Sequence, residues 1–497
     1  MEDITDKNIV KYVKNTNLKY KTEKPEYLLV RGHNQDPLLF TDTEVERAKK
    51  RAEKNPEDVR LSDTVPEDTQ TGVINVETSQ AGTGVTNEAQ LIKAIDNGET
   101  EIFITDSFEL TEMIKVPQGV SLYGKSNPRI KIPELIAGFW LWGDNTLADF
   151  TIYGEHSARG VLIEKNHNHT IRNMVFEKLG NDQKTGFTAL LARNGYGEGK
   201  EKYIENLIID GCTFKNVKND AIMIWKIKRG RIVNNVVDGT YGDHKHRGNA
   251  IRGQDLNNCI ISNNILNGIG RMGVEALGEG TSGTVISNNI IDDFGKQSKS
   301  VTFAISVGQL ANNVTVTGNV AKNAVNGYGF EIPQDASNII LSNNVTKDLK
   351  MALSVSAGCH DLVITNNIFD GGTKDYLVQL FQCWGITYSG NLHKGHTYDL
   401  KDGNKRALLI NQCNKVHVSN NIFEGDYNSH ADAAVYFYNH LGKDNPKSYG
   451  TWDVGGKTPA NAHTFDNNIL RGGGNRLVTL HGIELAPDSN SGNLVIK

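Results

Sequence analysis

An asparagine pair followed by an aliphatic residue recurs at one phase along most of this chain. The motif, written SNNI, SNNV, TNNI or DNNI, stands at 262–265, 287–290, 342–345, 365–368, 419–422 and 466–469. With Gly-Asn variants included, successive repeats are 23 to 47 residues apart. Self-similarity at such a period is the signature of stacked structural units. The second residues of the pairs are Asn235, Asn264, Asn289, Asn319, Asn344, Asn367, Asn391, Asn421 and Asn468.

Short alternating runs surround each pair. Runs such as CIIS, TVIS and LVIT precede it, one or two apolar residues follow it, and a further run begins with a small residue, as in GVEALG, AISVGQ and GFEIPQ. Alternation with a period of two indicates strands. Three short strands per repeat predict an all-β chain folded as a parallel β-helix, a solenoid of about a dozen coils. Stacked coils would bring the asparagines together at one corner, where amides bond one another and the left-handed backbone is tolerated.

The composition of the chain bears on which classes of partner it needs to bind. The net charge of −5, with 50 glycines and only 11 prolines, describes a turn-rich chain that need not bind nucleic acid or an anionic membrane. No apolar run is long enough to span a bilayer, and the charged N-terminus argues against an ordinary secretion signal. The five cysteines are odd in number and form no CxxC motif, so we expect reduced thiols and neither a metal nor another cofactor.

The chain changes character along its length. Residues 1–60 are predicted to be an attachment segment for a partner protein, with a short helix within 41–58 that Thr43 and Glu46 would cap. A polar linker covers 61–84, a capping helix and first coil cover 85–135, and the β-helix covers 136–497. The capping helix would protect the apolar end of the first coil, with Thr86 or Asn87 as its N-cap.

Two resemblances extend this reading. EAQLIKAID (88–96) and the phrase PQGVSLYG (117–124) resemble the opening of the pectate-lyase superfamily of right-handed β-helices. That resemblance implies the right-handed fold but leaves the chemistry open, because the scaffold hosts lyases, hydrolases, epimerases, esterases and virion fibres. A short head before a β-helix body also resembles the tailspikes of tailed bacteriophages. This second resemblance implies a homotrimer in the virion, docked to other virion proteins through residues 1–60 and bound to bacterial surface polysaccharide.

One outward row of side chains carries the candidate chemistry. In the third strand of each coil, the third position is predicted to face outward, giving Leu191, Met223, Arg252, Glu275, Ser306, Glu331, Ser354, Leu380, Leu409 and Tyr436. Glu275 and Glu331 would lie two coils apart, or about 9.6 Å between backbones. That separation suits an acid and a base with a water between them, as in inverting glycoside hydrolysis. Arg252 would lie beside them, and Asp255 and Asp335 are substitutes if the register is shifted.

Aromatic side chains bracket this patch. Trp225, Trp384, Tyr436 and Tyr438 suit the flat faces of sugar rings, and they equally suit a contact between subunits. Tyr328 belongs to NGYGFEIPQD (326–335), which resembles the Tyr-Gly-Phe-Asp-Pro-His phrase of alginate C5-epimerases but has Glu331, Ile332 and Pro333 in place of its last three residues.

His246 lies in the loop YGDHKHRGNAIR (241–252), which opens onto the patch and matches no standard metal site. Three functions remain open: a virion spike that binds and hydrolyses polysaccharide, a non-catalytic structural or receptor-binding virion protein on which these charges are solvated, and a polysaccharide lyase or epimerase.

Overall fold

The computed structural model divides into two compact units, Met1–Gln80 and Ala81–Lys497. It describes the backbone of 10–14, 27–31, 38–40 and 60–61. In the second unit it describes residues 82–133, 137–156, 158–164, 166–181, 188–193, 202–242, 247–295, 301–397, 405–427, 433–438, 463–472, 476–481, 485–486 and 489–496.

The first unit contains a four-stranded sheet that the sequence analysis did not predict. Its strands, in spatial order, are Leu38–Phe40, Tyr27–Arg31, Val10–Lys14 and Arg60–Leu61. The first three pair antiparallel, and the last pairs parallel to Val10–Lys14. The helix predicted within 41–58 lies outside the described residues.

The second unit is a solenoid of three stacked parallel sheets, which confirms the predicted β-helix. Sheet A contains Ile114–Val116, Phe139–Leu141, Val161–Ile163, Leu190–Arg193, Ile222–Lys228 with Ile204–Glu205 beside its end, Ile251–Asn257, Val274–Leu277, Phe303–Gly308, Tyr376–Phe381, Arg406–Asn411, Ala433–Tyr438 and Val478–His481. Sheet B contains Phe108–Glu109, Arg129–Lys131, Thr151–Tyr153, Val175–Glu177, Thr213–Lys218, Val236–Tyr241, Ile265–Ile269, Ile290–Phe294, Ile368–Gly372, Leu392–His396, Ile422–Glu424, Ile469–Arg471 and Leu494–Ile496.

Two long strands, Val320–Pro333 and Val345–Ser356, run through sheet B and on into sheet A. Among the described residues, sheet C has fifteen strands, one per coil, against about a dozen coils predicted. They are Thr83–Val85, Glu101–Ile104, Ser121–Gly124, Thr146–Ala148, Thr170–Arg172, Ile208–Asp210, Arg231–Val233, Ile260–Ser262, Val285–Ser287, Asn312–Thr317, Ser337–Ser342, His360–Thr365, Trp384–Ser389, Asn414–Ser419 and Thr464–Asp466.

The helix Glu88–Asp96 caps the first coil. Its N-cap is Asn87, whose side-chain oxygen accepts a hydrogen bond from the backbone N–H of Gln90 at 3.0 Å. Leu91 and Ala94 are buried against the first coil, while Ile92 and Ile95 pack at its edge. The apolar end of the solenoid is therefore covered, as a stacked repeat requires.

The asparagine pairs form the corner between sheets C and B, and their two members have different roles. The first residue of a pair takes the left-handed backbone, for example Asn343 with φ 56°, and glycine does so at Gly318. The second is buried, and its amide bonds the next coil: Asn319 Nδ2 donates to Asn344 Oδ1 at 3.0 Å, and Asn344 Nδ2 donates to Asn367 Oδ1 at 3.0 Å. The ladder runs from Asn235 through every predicted asparagine and ends one coil later at Asn493.

Aliphatic and phenylalanine side chains fill the interior along its whole length. The rings of Phe176 and Phe214 on adjacent coils stack with centroids 4.6 Å apart. All five cysteines are free thiols, as predicted, and four of them are buried. Within the described residues, no helix is long and apolar enough to cross a membrane.

Candidate functional site

The predicted outward row lies on sheet A, in the register read from the sequence except at Leu380. In-register pairs join Arg252 to Glu275, Glu275 to Ser306, and Ser306 to Glu331. These side chains therefore stand on four consecutive coils. The full row is Leu191, Met223, Arg252, Glu275, Ser306, Glu331, Ser354, Gln379, Leu409 and Tyr436.

One predicted member of the row was wrong. Leu380 is buried and pairs with Val355 and Ile410 inside the solenoid, while Gln379 takes the outward position. In the run YLVQLF every residue except Gln379 is apolar or aromatic. Alternation of apolar and polar residues therefore does not decide which side chains face the interior of the solenoid. The lone polar residue, Gln379, marks the side that is not packed in the core.

Glu275 is buried, with 4% of its surface exposed, and its charge is matched by arginines. Arg271 Nη1 donates to Glu275 Oε1 at 2.7 Å. The other oxygen, Oε2, accepts from Asn249 Nδ2 at 3.2 Å and lies 3.4 Å from Arg252 Nε. A buried carboxylate needs such partners, because desolvation otherwise disfavours its ionised form. Oε1 is thus held tightly, and Oε2 has longer contacts.

Asp220 is a second buried carboxyl group of this network, which the sequence analysis missed. Its Oδ1 accepts the backbone N–H of Asn249 at 2.9 Å, and its Oδ2 lies 3.7 Å from Arg252 Nη1. Burial raises the pKa of Asp220 to about 6, against the opposing effect of Arg252. Arg252 therefore lies between two carboxyl groups, Asp220 and Glu275.

Glu331 has a different environment from Glu275. It is half-buried, and Ser306 Oγ donates to its Oε2 at 2.6 Å. Burial raises its pKa, the Ser306 hydrogen bond opposes that shift, and the negative charge of Glu275 adds to it. The two glutamates are separated by two strand spacings, or about 9.6 Å between backbones.

Asp255 and Asp335 do not join this row. Both have left-handed backbone, with φ values of 55° and 62°. Asp255 interrupts the pairing within the strand Ile251–Asn257, and Asp335 follows the end of Val320–Pro333. Asp255 Oδ1 accepts the backbone N–H of Gly280 at 3.1 Å, and Asp335 lies near His360. Because the register is as predicted, they are not needed as substitutes for the glutamates.

An aromatic and basic cluster lies beside the row on the same coils. Tyr328 is buried against Met272, Phe303 and Met351, and Tyr376 packs at the edge of this group. Lys374 Nζ lies 4.1 Å from the Tyr376 ring centroid and 5.5 Å from that of Tyr328. A partly exposed ring with an ammonium group beside it can contact both a sugar face and an anionic substituent.

The remaining predicted aromatic residues are dispersed. The Trp225 indole N–H donates to the side chain of Gln254. Gln254 lies one coil before Glu275, and Trp225 lies two coils before it. Tyr436 and Tyr438 lie at the far end of sheet A, with ring centroids 5.9 Å apart. Trp384 begins a sheet C strand and stacks on His360 at 4.7 Å, so it does not lie on the row. His246 lies outside the described residues.

No group of three or more His, Cys, Asp or Glu side chains in the described parts of the chain is placed to hold a metal ion. The site that these residues form consists of Asp220, Asn249, Arg252, Arg271, Glu275, Ser306 and Glu331. It brings three carboxyl groups together with guanidinium, amide and hydroxyl partners.

Comparison with known proteins identifies the fold family. The family model described as "Right handed beta helix region" matches residues 137–298 and 244–392, which together span just over half of the chain. A search of curated proteins by sequence finds no match.

Solved structures similar to the chain include three proteins of low sequence identity. The tailspike protein of E. coli bacteriophage HK620 in complex with pentasaccharide is 13% identical, with a TM-score of 0.47 over 82% of this chain and 73% of its own. The A-module of the Azotobacter vinelandii mannuronan C-5 epimerase AlgE6 is 13% identical, with a TM-score of 0.40 over 84% and 97%. A PL6 alginate lyase in complex with trisaccharide is 12% identical, with a TM-score of 0.47 over 70% and 86%. Because the family model covers just over half of its length and its coils stack as that description requires, this chain belongs to the right-handed β-helix family.

Proposed function

We propose that this protein binds and hydrolyses a bacterial surface polysaccharide as a spike or appendage of a phage particle. The observation that carries the proposal is the placement of Glu275 and Glu331 on one outward row of sheet A, two coils apart. Two carboxyl groups with different environments, at a spacing that admits a water, are what glycoside hydrolysis with inversion requires.

Glu331 is proposed as the general acid. Its raised pKa keeps the carboxyl group protonated to higher pH than an exposed glutamate, so it can donate a proton to the glycosidic oxygen. Its half-buried position leaves part of the side chain open to a substrate.

Glu275 is proposed as the general base. Arg271 holds Oε1, and Oε2, whose contacts with Asn249 and Arg252 are longer, would take a proton from a water molecule as that water attacks the sugar. The backbone spacing of about 9.6 Å lies just above the range of about 6.5–9.5 Å between carboxyl groups in inverting enzymes, and the glutamate side chains can shorten it. Arg252 and Asp220 are proposed to position Glu275 and are not assigned contact with substrate.

Sugar rings are proposed to lie along the row on both sides of the glutamates. Tyr376 and Tyr436 would offer ring faces on the C-terminal side, with Tyr376 supported by the buried Tyr328, and Trp225 would do so on the N-terminal side. The polysaccharide would then run parallel to the solenoid axis.

The biological setting is a further part of the proposal. Residues 1–60 would dock to other virion proteins, three copies would assemble as a homotrimer, and no nucleic acid or membrane insertion is involved. The separate compact unit Met1–Gln80 and the tailspike-like organisation of the sequence support this arrangement.

A non-catalytic receptor-binding or structural role is the second candidate. The burial of Glu275 in ion pairs with two arginines favours it, because a carboxylate of this kind can simply stabilise the coil stack. In that case the row would bind a glycan or another protein without cleaving it.

The test is a depolymerisation screen with purified full-length protein. Capsule and O-antigen polysaccharides from a panel of bacteria are incubated with it, while reducing ends and the ultraviolet absorbance of unsaturated uronates are followed together. New reducing ends without that absorbance, lost in Glu275→Gln and Glu331→Gln but kept in Glu424→Gln on sheet B, would support the hydrolase. Unsaturated products would refute the acid–base mechanism. Binding without cleavage across the panel would favour the second candidate.

A further inference from the structure

The aliphatic residue that follows each asparagine pair faces outward. On sheet B these residues form an unbroken row across ten coils, and we call this row the sheet-B stripe. It contains Val236, Ile265, Ile290, Val320, Val345, Ile368, Leu392, Ile422, Ile469 and Leu494. All ten are half-exposed or exposed, reaching 46% at Ile265 and 51% at Leu494.

Strand propensity alone does not account for the stripe. β-Branched residues favour exposed strand positions, and they are common on the outer face of sheet C as well. There, however, the equivalent row is interrupted by Thr315, Thr387 and His417. On the stripe no polar residue occurs in ten positions, and two positions hold leucine, which has no β-branch. Contiguous apolar surface of this extent marks an interaction site.

The charges beside the stripe cancel. The outward positions two residues further along carry four acidic and four basic side chains, Asp238, Asp292, Asp370, Glu424, Lys322, Lys347, Lys394 and Arg471. Several pair with each other within the chain, as Lys322 Nζ does with Asp292 Oδ2 at 3.1 Å and Lys394 Nζ with Asp370 Oδ2 at 3.3 Å. A surface with no net charge does not repel an identical surface.

We infer that the sheet-B stripe is the face on which a second copy of this chain packs. The stripe repeats at each coil, about every 4.8 Å, over about 43 Å. A partner that matches it residue by residue must have the same repeat, which a second copy of this solenoid has. The proposed homotrimer makes the copies parallel, because rotation about an axis along the solenoid preserves chain direction.

The size of the contact is consistent with this partner. The stripe and the charged row beside it form a surface about 43 Å long and about 12 Å wide, which would bury about 500 Å² on each chain. The total of about 1,000 Å² equals the lower bound for a specific interface. Burial of the aliphatic side chains would supply the favourable free energy, since six of the eight charged neighbours are already paired within each chain.

This inference deepens the proposed function, because it assigns a face to the proposed homotrimer. It does not depend on the chemistry: the stripe lies on sheet B and the glutamates on sheet A. Association and polysaccharide cleavage can therefore fail separately, and each has its own measurement.

The first test compares two double variants of the full chain by light scattering after size exclusion. Ile290→Lys with Ile368→Lys places charge on the stripe. Ile340→Lys with Val363→Lys places the same charge on sheet C, at residues that are 42% and 38% exposed. We expect an oligomer from the wild type and the sheet C variant, and a monomer with unchanged circular dichroism from the stripe variant. A monomeric wild type, or an oligomeric stripe variant, would overturn the inference.

The second test needs no disruptive substitution. Ile290→Cys should form a disulfide between copies under mild oxidation, because parallel copies bring identical positions of the stripe together. Ile340→Cys is the matched control, and the wild type, whose five thiols are buried or half-buried, gives the background. Equal cross-linking at both positions, or none at Ile290→Cys, would contradict the assignment even if the lysine variants failed to fold.

Discussion

Ser306 stands in register between Glu275 and Glu331, and its hydroxyl donates to Glu331 at 2.6 Å. The two glutamates are thus members of one row with a single small side chain between them. Ser306 is itself buried and places no charge between the two carboxyl groups. The hydrogen bond from Ser306 lowers the pKa of Glu331, and Ser306 makes no such bond to Glu275.

Ser306→Ala should move the pH dependence of cleavage upward. The hydroxyl stabilises the ionised form of Glu331, so its removal leaves burial and the Glu275 charge to raise the pKa of Glu331 further. If protonated Glu331 is the active form, the alkaline limb of kcat/KM shifts to higher pH. A profile measured over the full pH range checks this. A lower rate with an unshifted alkaline limb would argue against Glu331 as the acid.

Arg271→Met should destabilise the solenoid strongly. The substitution leaves Glu275 buried without its closest cation, and breaking a buried ion pair in this way costs about 3–5 kcal/mol. The matched control is Arg129→Met, which removes an exposed ion pair with Glu177 and should cost about 0–1 kcal/mol. Urea unfolding followed by circular dichroism compares the two. Equal midpoints would mean that the Glu275 network is solvated.

The two asparagines of one pair should respond differently to substitution. Asn344→Ala removes a buried amide that bonds Asn319, Asn367 and the Val316 carbonyl, leaving partners unsatisfied at about 1–3 kcal/mol each. Asn343→Gly should change the free energy of unfolding by less than about 1 kcal/mol, because glycine adopts the same left-handed backbone. Thermal unfolding of both variants tests this, and a larger loss in Asn343→Gly would contradict the division of roles.

Two buried histidines should make the fold less stable in acid. Burial lowers the pKa of His393 to about 3 and that of His463 to about 4, from an ordinary value of 6.5. Below pH 6.5 the unfolded chain therefore binds protons at these histidines that the folded chain does not bind. The stabilisation present above pH 6.5 is lost as the pH falls toward the folded-state pKa values.

His393→Phe should reduce the fall in Tm between neutral and acidic pH. Tyr388→Phe is the control: it removes the hydroxyl 2.7 Å from His393 Nε2 but leaves the imidazole buried, so the fall in Tm should persist. An identical pH dependence in wild type and His393→Phe would show that protonation of this imidazole is not coupled to unfolding.

Much of the fold could be predicted because the asparagine pair marks the same position in every coil. Asn264 and Asn289 mark the same corner of successive coils, so the alternation that follows assigns a face to each residue. This placed Glu275 and Glu331 on one row, and the strand register agrees. Their catalytic roles stay predictions.

Other contacts could not be predicted from alternation. Asp220 and Arg271 precede their sheet A strands, and alternation assigns faces only within a strand. Their approach to Arg252 and Glu275 depends on how each coil turns into sheet A. Trp384 likewise follows a corner and begins a sheet C strand, so alternation within the preceding sheet A strand assigns it no face. The exposure of Ile265 is the opposite of what an aliphatic residue suggests, because the asparagine ladder already occupies the inner side of that corner.

The most direct test of the central claim is the stereochemistry of cleavage. Proton NMR of a polysaccharide digest, recorded before the products mutarotate, reports the anomeric configuration of each new reducing end. Carboxyl groups two coils apart predict inversion, with the signal absent in Glu331→Gln. Retention of configuration, an unsaturated uronate product, or no new signal from any polysaccharide that the protein binds would contradict the paired-glutamate account.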